Sequence, residues 1–267
     1  MGENRKFLCH HILSHIFVLV NGMFERRVGE DGIEVWVAQV GPFANVNTAF
    51  IDRATNTVVI VDPQNAKKWL SALEKEDLIP THVIITHTHR DHVGGVKKLL
   101  KEVPEIELLG HSNSNQPNLF SRVLFQQLNY TKTWNHDEHT IEEWQAGGIT
   151  LHVTHSPGHA PGHLTFHGHG VFHAGDLLFT ARSGRVDLPG GDADSQWRSI
   201  SFARNTLLSL PQDWWLIPGH NYEWIDGTTP IWVTISDALE HNKALNSPTL
   251  EEFNNLDFLR FDDDLAE

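Results

Sequence analysis

Cysteine and positive charge are both scarce in this chain. Its 267 residues include one cysteine, Cys9. A single thiol cannot close an internal disulfide, so the fold does not depend on an oxidising compartment, and a Cys-rich metal site is excluded. Lys and Arg number 20 against 34 Asp and Glu, a net charge of −14. Gripping nucleic-acid phosphates takes clustered Lys and Arg. No basic run here is longer than "ERR" or "KK", which excludes nucleic acid as a partner. The apolar run Phe7–Val20 is shorter than the roughly 20 residues a membrane-spanning helix needs. Basic residues precede it, as in a signal peptide, but histidines interrupt it and no small-residue cleavage site follows. The expectation is therefore no membrane partner and a cytoplasmic location. Residues 1–32 read as an N-terminal extension, 33–228 as one catalytic-type domain, and 229–267 as a helical tail packed on it.

What the chain has in excess is histidine, 19 residues. Most of these read as ordinary core or surface residues on strand-like segments, among them His82, His111, His152, His167 and His173. The strand signals are Ile33–Val40 and Thr48–Ile51 around a Gly41-Pro42 turn, then the buried runs "TVVIVD" and "HVIIT". Asn65 is placed to cap a helix with Trp69, Leu70 and Leu73 on its apolar face. A second helix carries Val96, Leu99, Leu100 and Val103 and stops at Pro104. Further strand signals, "ITLHVTHS", "LTFHG", "GVFHAGD" and "WWLIPGH", surround a helical stretch from Ser195 to Leu210, and the tail from Thr229 to Leu259 reads as helical. Strands with helices between them and Gly or Pro at their ends predict sheets packed face to face with helices outside.

One stretch stands apart. "THTHRDH", Thr86 to His92, packs three histidines and an aspartate between a buried strand and a helix, and strand ends in layered α/β folds are where ligands bind. In an extended loop His87 and His89 point the same way, while Asp91 and His92 point elsewhere, so one loop can feed two neighbouring metal positions. Imidazole and carboxylate suit Zn, Fe and Mn. The remaining ligands must come from afar, and similar punctuation recurs in "SPGH" with His159, "HAGD" with Asp176 and "IPGH" with His220.

In the order "THTHRDH", "SPGHAPGH", "HAGD", "PGH", the chain resembles the metallo-β-lactamase superfamily over roughly Ile33 to Tyr222. The resemblance implies an α/β fold, a single-domain αββα sandwich with metals at one edge between the sheets. It implies two divalent ions, Zn or else Fe or Mn. His87, His89 and His159 would hold one, Asp91, His92 and His220 the other, and Asp176 would bridge them. Cysteine-ligated β-lactamase branches do not fit, because Cys9 lies outside the motifs. The closest resemblance is to glyoxalase II-like hydrolases, through "GDLLFTARSGRVDLPGGD" and the tail "PTLEEFNNLDFLR". It implies a small-molecule thioester of the hydroxyacylglutathione type as substrate. Long members of that group grip glutathione with a basic helical C-terminal domain, whereas the tail here ends in the acidic "RFDDDLAE". Their glutathione-contacting Lys and Tyr are replaced by Arg185 and Asp187.

Persulfide dioxygenases are similar too, with Arg at the position of Arg185 and a His-x-Tyr like His220-Asn221-Tyr222. That branch uses one Fe(II), held by the counterparts of His87, His159 and Asp176. A lactonase or other ester hydrolase ranks third, and a non-catalytic metal-binding module would need saturated coordination. Asp91 is the expected catalytic group, both ligand and orienter of the attacking hydroxide. Arg185 reads either as a clamp for a substrate carboxylate or as a structural partner of Asp187 or Asp192. Tyr222 reads as a pocket residue or as packing. Asp62 reads as a hydrogen-bond support for a ligand histidine or as a turn cap before Pro63. Oligomeric state is not legible.

Overall fold

The computed structural model describes residues 24–29, 31–115 and 126–259. The apolar run Phe7–Val20, Cys9 and the acidic end after residue 259 lie outside the described residues.

The first sheet has seven strands in sequence order: β1 (Glu25–Val28), β2 (Glu34–Gln39), β3 (Val46–Asp52), β4 (Thr57–Val61), β5 (His82–Ile84), β6 (Glu107–His111) and β7 (Lys132–Trp134). β1 to β4 run antiparallel and β4 to β7 parallel. The second sheet holds β8 (Ile141–Ala146), β9 (Ile149–His155), β10 (Leu164–Gly168), β11 (Val171–Gly175), β12 (Trp215–Pro218) and β13 (Val233–Thr234), in spatial order β13-β12-β11-β10-β9-β8. Only β11 and β12 pair in parallel there.

Side-chain alternation builds the layers. On β4, Val59 and Val61 face the second sheet while Val58 and Ile60 face outward, the period of two a pleated strand imposes. The inward set meets Leu151, Val153, Leu164, Phe166 and Ile217. The outward set is covered by α1 (Ala66–Glu74) and α3 (Val96–Glu102), through Trp69, Leu73, Val96 and Leu99. The second sheet's outer face is covered by α4 (Ala193–Ser209), α5 (Ile235–His241) and α6 (Leu250–Asn254). Each fully buried apolar side chain in these layers contributes roughly 1.5–3 kcal/mol. The result is the expected αββα sandwich. A four-residue turn, α2 (Arg90–Val93), sits at the edge between the sheets.

Asn65 caps α1 by accepting from the Lys68 N–H, as its position before the apolar face predicts. The region from Thr229 to Leu259 departs from one helical run. It holds β13 and two short helices, because Asn242 breaks the first. Its buried side chain donates to the carbonyls of Phe179, Thr180 and Arg182 and accepts from the Ala244 and Leu245 N–H groups. β1, β6, β7 and β8 were not signalled by the sequence pattern. β8 shows why, since four of its six residues are exposed and no clean alternation results.

Histidine is also a core residue here. Burial pushes His111 and His167 down to about 4, helped by neighbouring His155 and His136 in the first case and His152 in the second. Burial likewise takes His173 to about 4. An unfolded imidazole takes its proton near the ordinary value of 6.5. Between about 6.5 and 4 the unfolded chain therefore binds protons that the folded chain excludes, and stability falls as pH falls through that window. In chelator, the midpoint of thermal unfolding should drop between pH 7 and pH 5. His167→Gln should make the slope shallower by about one proton; an unchanged slope would contradict this account of its burial.

Candidate metal centre

The carboxyl ends of four strands converge on one edge. His87 and His89 follow β5, and Asp91 and His92 occupy α2. His159 lies between β9 and β10, Asp176 follows β11, and His220 follows β12. The loop after β5 crosses to the other sheet, where Leu164 N–H donates to the Thr86 carbonyl at 2.9 Å. All seven side chains except Asp91 are buried.

They form two groups. His87, His89 and His159 bring ligand atoms within 4.8 Å of one another, as do Asp91, His92 and His220. Asp176 faces both. Its carboxylate is 3.4 Å from His159 Nε2 and 4.0 Å from His87 Nε2 on one side, and 3.4 Å from both His92 and His220 Nε2 on the other. A third grouping joins Asp62 to His87 and His92, but the Asp62 oxygens are already engaged. Oδ1 accepts from the Thr86 N–H at 2.8 Å, and Oδ2 lies 2.5 Å from Thr86 Oγ1 and 2.9 Å from His92 Nδ1. Asp62 thus supports His92 from behind and adopts a left-handed φ of 49° to do so, a conformation Asp tolerates better than most residues.

The hydrogen bonds fix which nitrogen of each ring looks inward. His92 gives its Nδ1–H to Asp62, His159 to the Arg185 carbonyl at 2.7 Å and His220 to the Phe43 carbonyl at 2.8 Å. His87 Nδ1 lies 2.9 Å from Thr86 Oγ1, whose proton goes to Asp62. The four Nε2 atoms are left facing the centre, and that of His87 is buried without a hydrogen-bond partner among the described residues. His92 Nε2 and His220 Nε2 stand 3.1 Å apart, and His159 Nε2 stands 2.9 Å from His89 Nδ1. Two lone pairs at such distances repel unless a proton or a metal cation lies between them.

The electrostatics agree. Burial would raise Asp176 and Asp91, but the charges of His92 and His220, with their hydrogen bonds, hold both carboxyls far below the usual range. Burial would lower His92 and His220, yet Asp176 and Asp91 draw His92 well above 6.5 and His220 to about 9. His87, His89 and His159 are lowered, chiefly by burial. This is a buried centre whose two carboxylates draw positive charge, here onto His92 and His220, and which the neutral imidazoles of His87, His89 and His159 wall on the other side. Imidazole and carboxylate oxygen are donors suited to divalent metals such as Zn or Fe, so the residues present fit a metal.

Some contributors carried no signal in the sequence. His163 accepts the Asp176 N–H at 3.0 Å, and Asn45 donates to Asp91 at 2.9 Å. Neither could be singled out from a motif, although His163 lies inside "SPGHAPGH". The segment before Asn45 is bridged to the His220 loop by Val46 N–H to Gly219 O and Asn221 N–H to Ala44 O. Gly94 and Gly95 adopt right-handed helical φ values, −56° and −87°. Gly95 is required instead for space, since a Cβ there would lie 2.3 Å from the Pro63 carbonyl. The Arg185 side chain pairs with a carboxylate. Its Nε and Nη2 meet Asp187 at 2.5 Å, the structural alternative. Tyr222 is at the mouth, 39% exposed, with its ring 6.2 Å from that of His220.

Residues 41–220 match the family model of the metallo-beta-lactamase superfamily. The chain is 34% identical over 178 residues to the hydroxyacylglutathione hydrolase of Aeromonas salmonicida, an alignment covering 66% of this chain and 61% of that one. The chain thus spans less than two thirds of the length of that relative. It is 32% identical over 212 residues to hydroxyacylglutathione hydrolase GloC of Haemophilus influenzae, covering 75% of this chain and 93% of the relative. Among solved structures, TTHA1623 in a di-iron-bound form superposes with a TM-score of 0.59 at 26% identity, over 77% of this chain and 98% of that one.

Two outcomes test the geometry. Gly219→Ala would put a methyl carbon 2.0 Å from Asp176 Oδ1, so the variant should bind fewer metal ions per chain by elemental analysis. Asp62→Asn keeps the shape of the side chain but loses the charge behind His92. It should weaken metal affinity by about ten- to a hundredfold in a chelator competition, with little loss expected if Asp62 were only a turn cap.

Proposed function

The chain belongs to the metallo-beta-lactamase superfamily, and within it we propose a hydrolase of the hydroxyacylglutathione hydrolase type, cleaving a small-molecule thioester with two divalent ions. The observation that carries this reading is the pair of ligand groups sharing Asp176. His87, His89 and His159 would hold one ion and Asp91, His92 and His220 the other, with Asp176 between them. Three protein ligands plus a shared carboxylate leave room for water, as catalytic sites do. When bound, such ions supply Lewis acidity to a water and to an acyl carbonyl.

The protein's own groups do the positioning. Asp62, Phe43 O and Arg185 O hold the rings of His92, His220 and His159 with Nε2 inward. Asn45 fixes one oxygen of Asp91. The Asp91 side chain keeps 24% of its surface accessible, so it can accept a hydrogen bond from the attacking water and aim it. A thiolate leaves without much help from an acid, which matches an Asp91 carboxylate held ionised and so unable to donate a proton.

The relatives' names support the substrate class, and the di-iron form of a structural neighbour supports two metals. A mononuclear iron persulfide dioxygenase would use only His87, His159 and Asp176. That branch keeps the whole motif as well, so it is the relatives' names that favour the thioesterase.

Elemental analysis of untagged protein should find close to two metal ions per chain. S-lactoylglutathione should be hydrolysed, chelator should abolish the activity, and metal should restore it. His89→Ala should lower kcat/KM by about a hundredfold or more, the scale of losing electrostatic stabilisation of the reacting oxygen. Near one iron per chain, with oxygen consumed in the presence of glutathione persulfide, would overturn the hydrolase reading. Cleavage of lactones but not thioesters would leave the metals and change the substrate.

A further inference from the structure

Beside the centre lies a cation that the proposed chemistry leaves unused. Arg182 sits on the loop after Asp176. Its guanidinium carbon is 4.9 Å from the centroid of the Tyr222 ring and 4.8 Å from that of Phe258. Its Nη2 donates to the Phe258 carbonyl at 3.3 Å, and its buried Nε has no hydrogen-bond partner among the described residues. Burial lowers its pKa, and the charges of Tyr222 and Asp257 offset this only in part. Arg185, three residues on, is the contrast, because its charge is met by both oxygens of Asp187.

Tyr222 connects Arg182 to the centre. Its ring lies 4.7 Å from Phe179, which stands edge-on to His220 at 5.8 Å. The Tyr222 hydroxyl is raised by burial and by Asp176 and Asp91, and is held back by Arg182 and Arg185. One phenol therefore senses the carboxylates of the centre and both guanidinia at its mouth. Desolvating a cation without pairing it is unfavourable, and the aromatic faces hold the guanidinium plane in place rather than discharge it. A planar fork already held in position matches a carboxylate's two oxygens.

We propose that Arg182, braced between Tyr222 and Phe258, binds a carboxylate carried by the substrate and makes the site selective for anionic thioesters. This rests on the thioesterase reading above. It also gives the tail residue Phe258 a task, holding the arginine that selects the substrate. The carboxylate can belong to the acyl group or to the thiol.

Three thioesters separate these sources: S-butyryl-N-acetylcysteamine is uncharged, S-succinyl-N-acetylcysteamine is charged on the acyl side, and S-butyrylglutathione is charged on the thiol side. In metal-loaded Arg182→Gln, the ratio of kcat/KM for one charged ester to that for the uncharged ester should fall about tenfold or more, mainly through KM, as expected for one charge-assisted contact. The ester that responds identifies the source. Arg182→Lys should recover part of the ratio, and it carries the test alone if the Gln variant does not fold. An equal loss on all three esters, or no change in either ratio, overturns the proposal. If the unaltered protein cleaves no thioester, the thioesterase reading fails, and calorimetric binding of succinate and glutathione to the metal-loaded protein decides the anion site. Binding about tenfold weaker in Arg182→Gln sustains it, and equal binding removes it.

Discussion

The buried carboxylate of Asp62 is the contact on which the rest of the site hangs. It ends β4 in a left-handed conformation and joins three elements: its own strand, the Thr86 backbone and hydroxyl beyond β5, and the His92 ring on α2. Thr86 passes the constraint to His87, and its carbonyl reaches Leu164 in the opposite sheet. A fully buried carboxylate without partners would be costly. Satisfied on both oxygens, it instead fixes two imidazoles and helps hold the sheets in register at the edge where they meet.

The sandwich exists to deliver such strand ends to one line. Parallel pairing of β4 with β5, and of β11 with β12, points the carboxyl ends of neighbouring strands the same way. Asp62, His87, Asp176 and His220 therefore emerge side by side, although they are far apart in the chain. Backbone carbonyls of Phe43 and Arg185 then set the ring tautomers of His220 and His159. The loops that carry those carbonyls also form the mouth, so ring orientation and access to the centre are built from the same segments.

Charge is managed in shells. At the centre, the carboxylates draw positive charge, onto His92 and His220 or onto bound cations. Further out, Arg185 is cancelled by Asp187 while Arg182 is held between aromatic rings. In a chain of net charge −14, Arg182 is a guanidinium with no carboxylate in contact among the described residues. The tail supports this through Phe258, which ties the C-terminal helices of the second sheet's outer layer to the mouth.

By itself the sequence determined the architecture and placed the candidate donors at strand ends. Continuous buried β-branched runs specified strands, the Asn65 cap and the spacing of Trp69 and Leu73 specified a helix, and histidines and aspartates beside Gly and Pro marked strand ends. These signals are local and survive in one dimension. Tertiary structure alone decided what depends on residues meeting across the chain. It brought His163 and Asn45 to Asp176 and Asp91, set the inward nitrogen of each ring, and broke the tail at Asn242, whose partners lie some sixty residues away. It also decided which arginine is paired. Arg185 and Arg182 look alike in sequence, and only the fold puts a carboxylate against one and aromatic rings against the other.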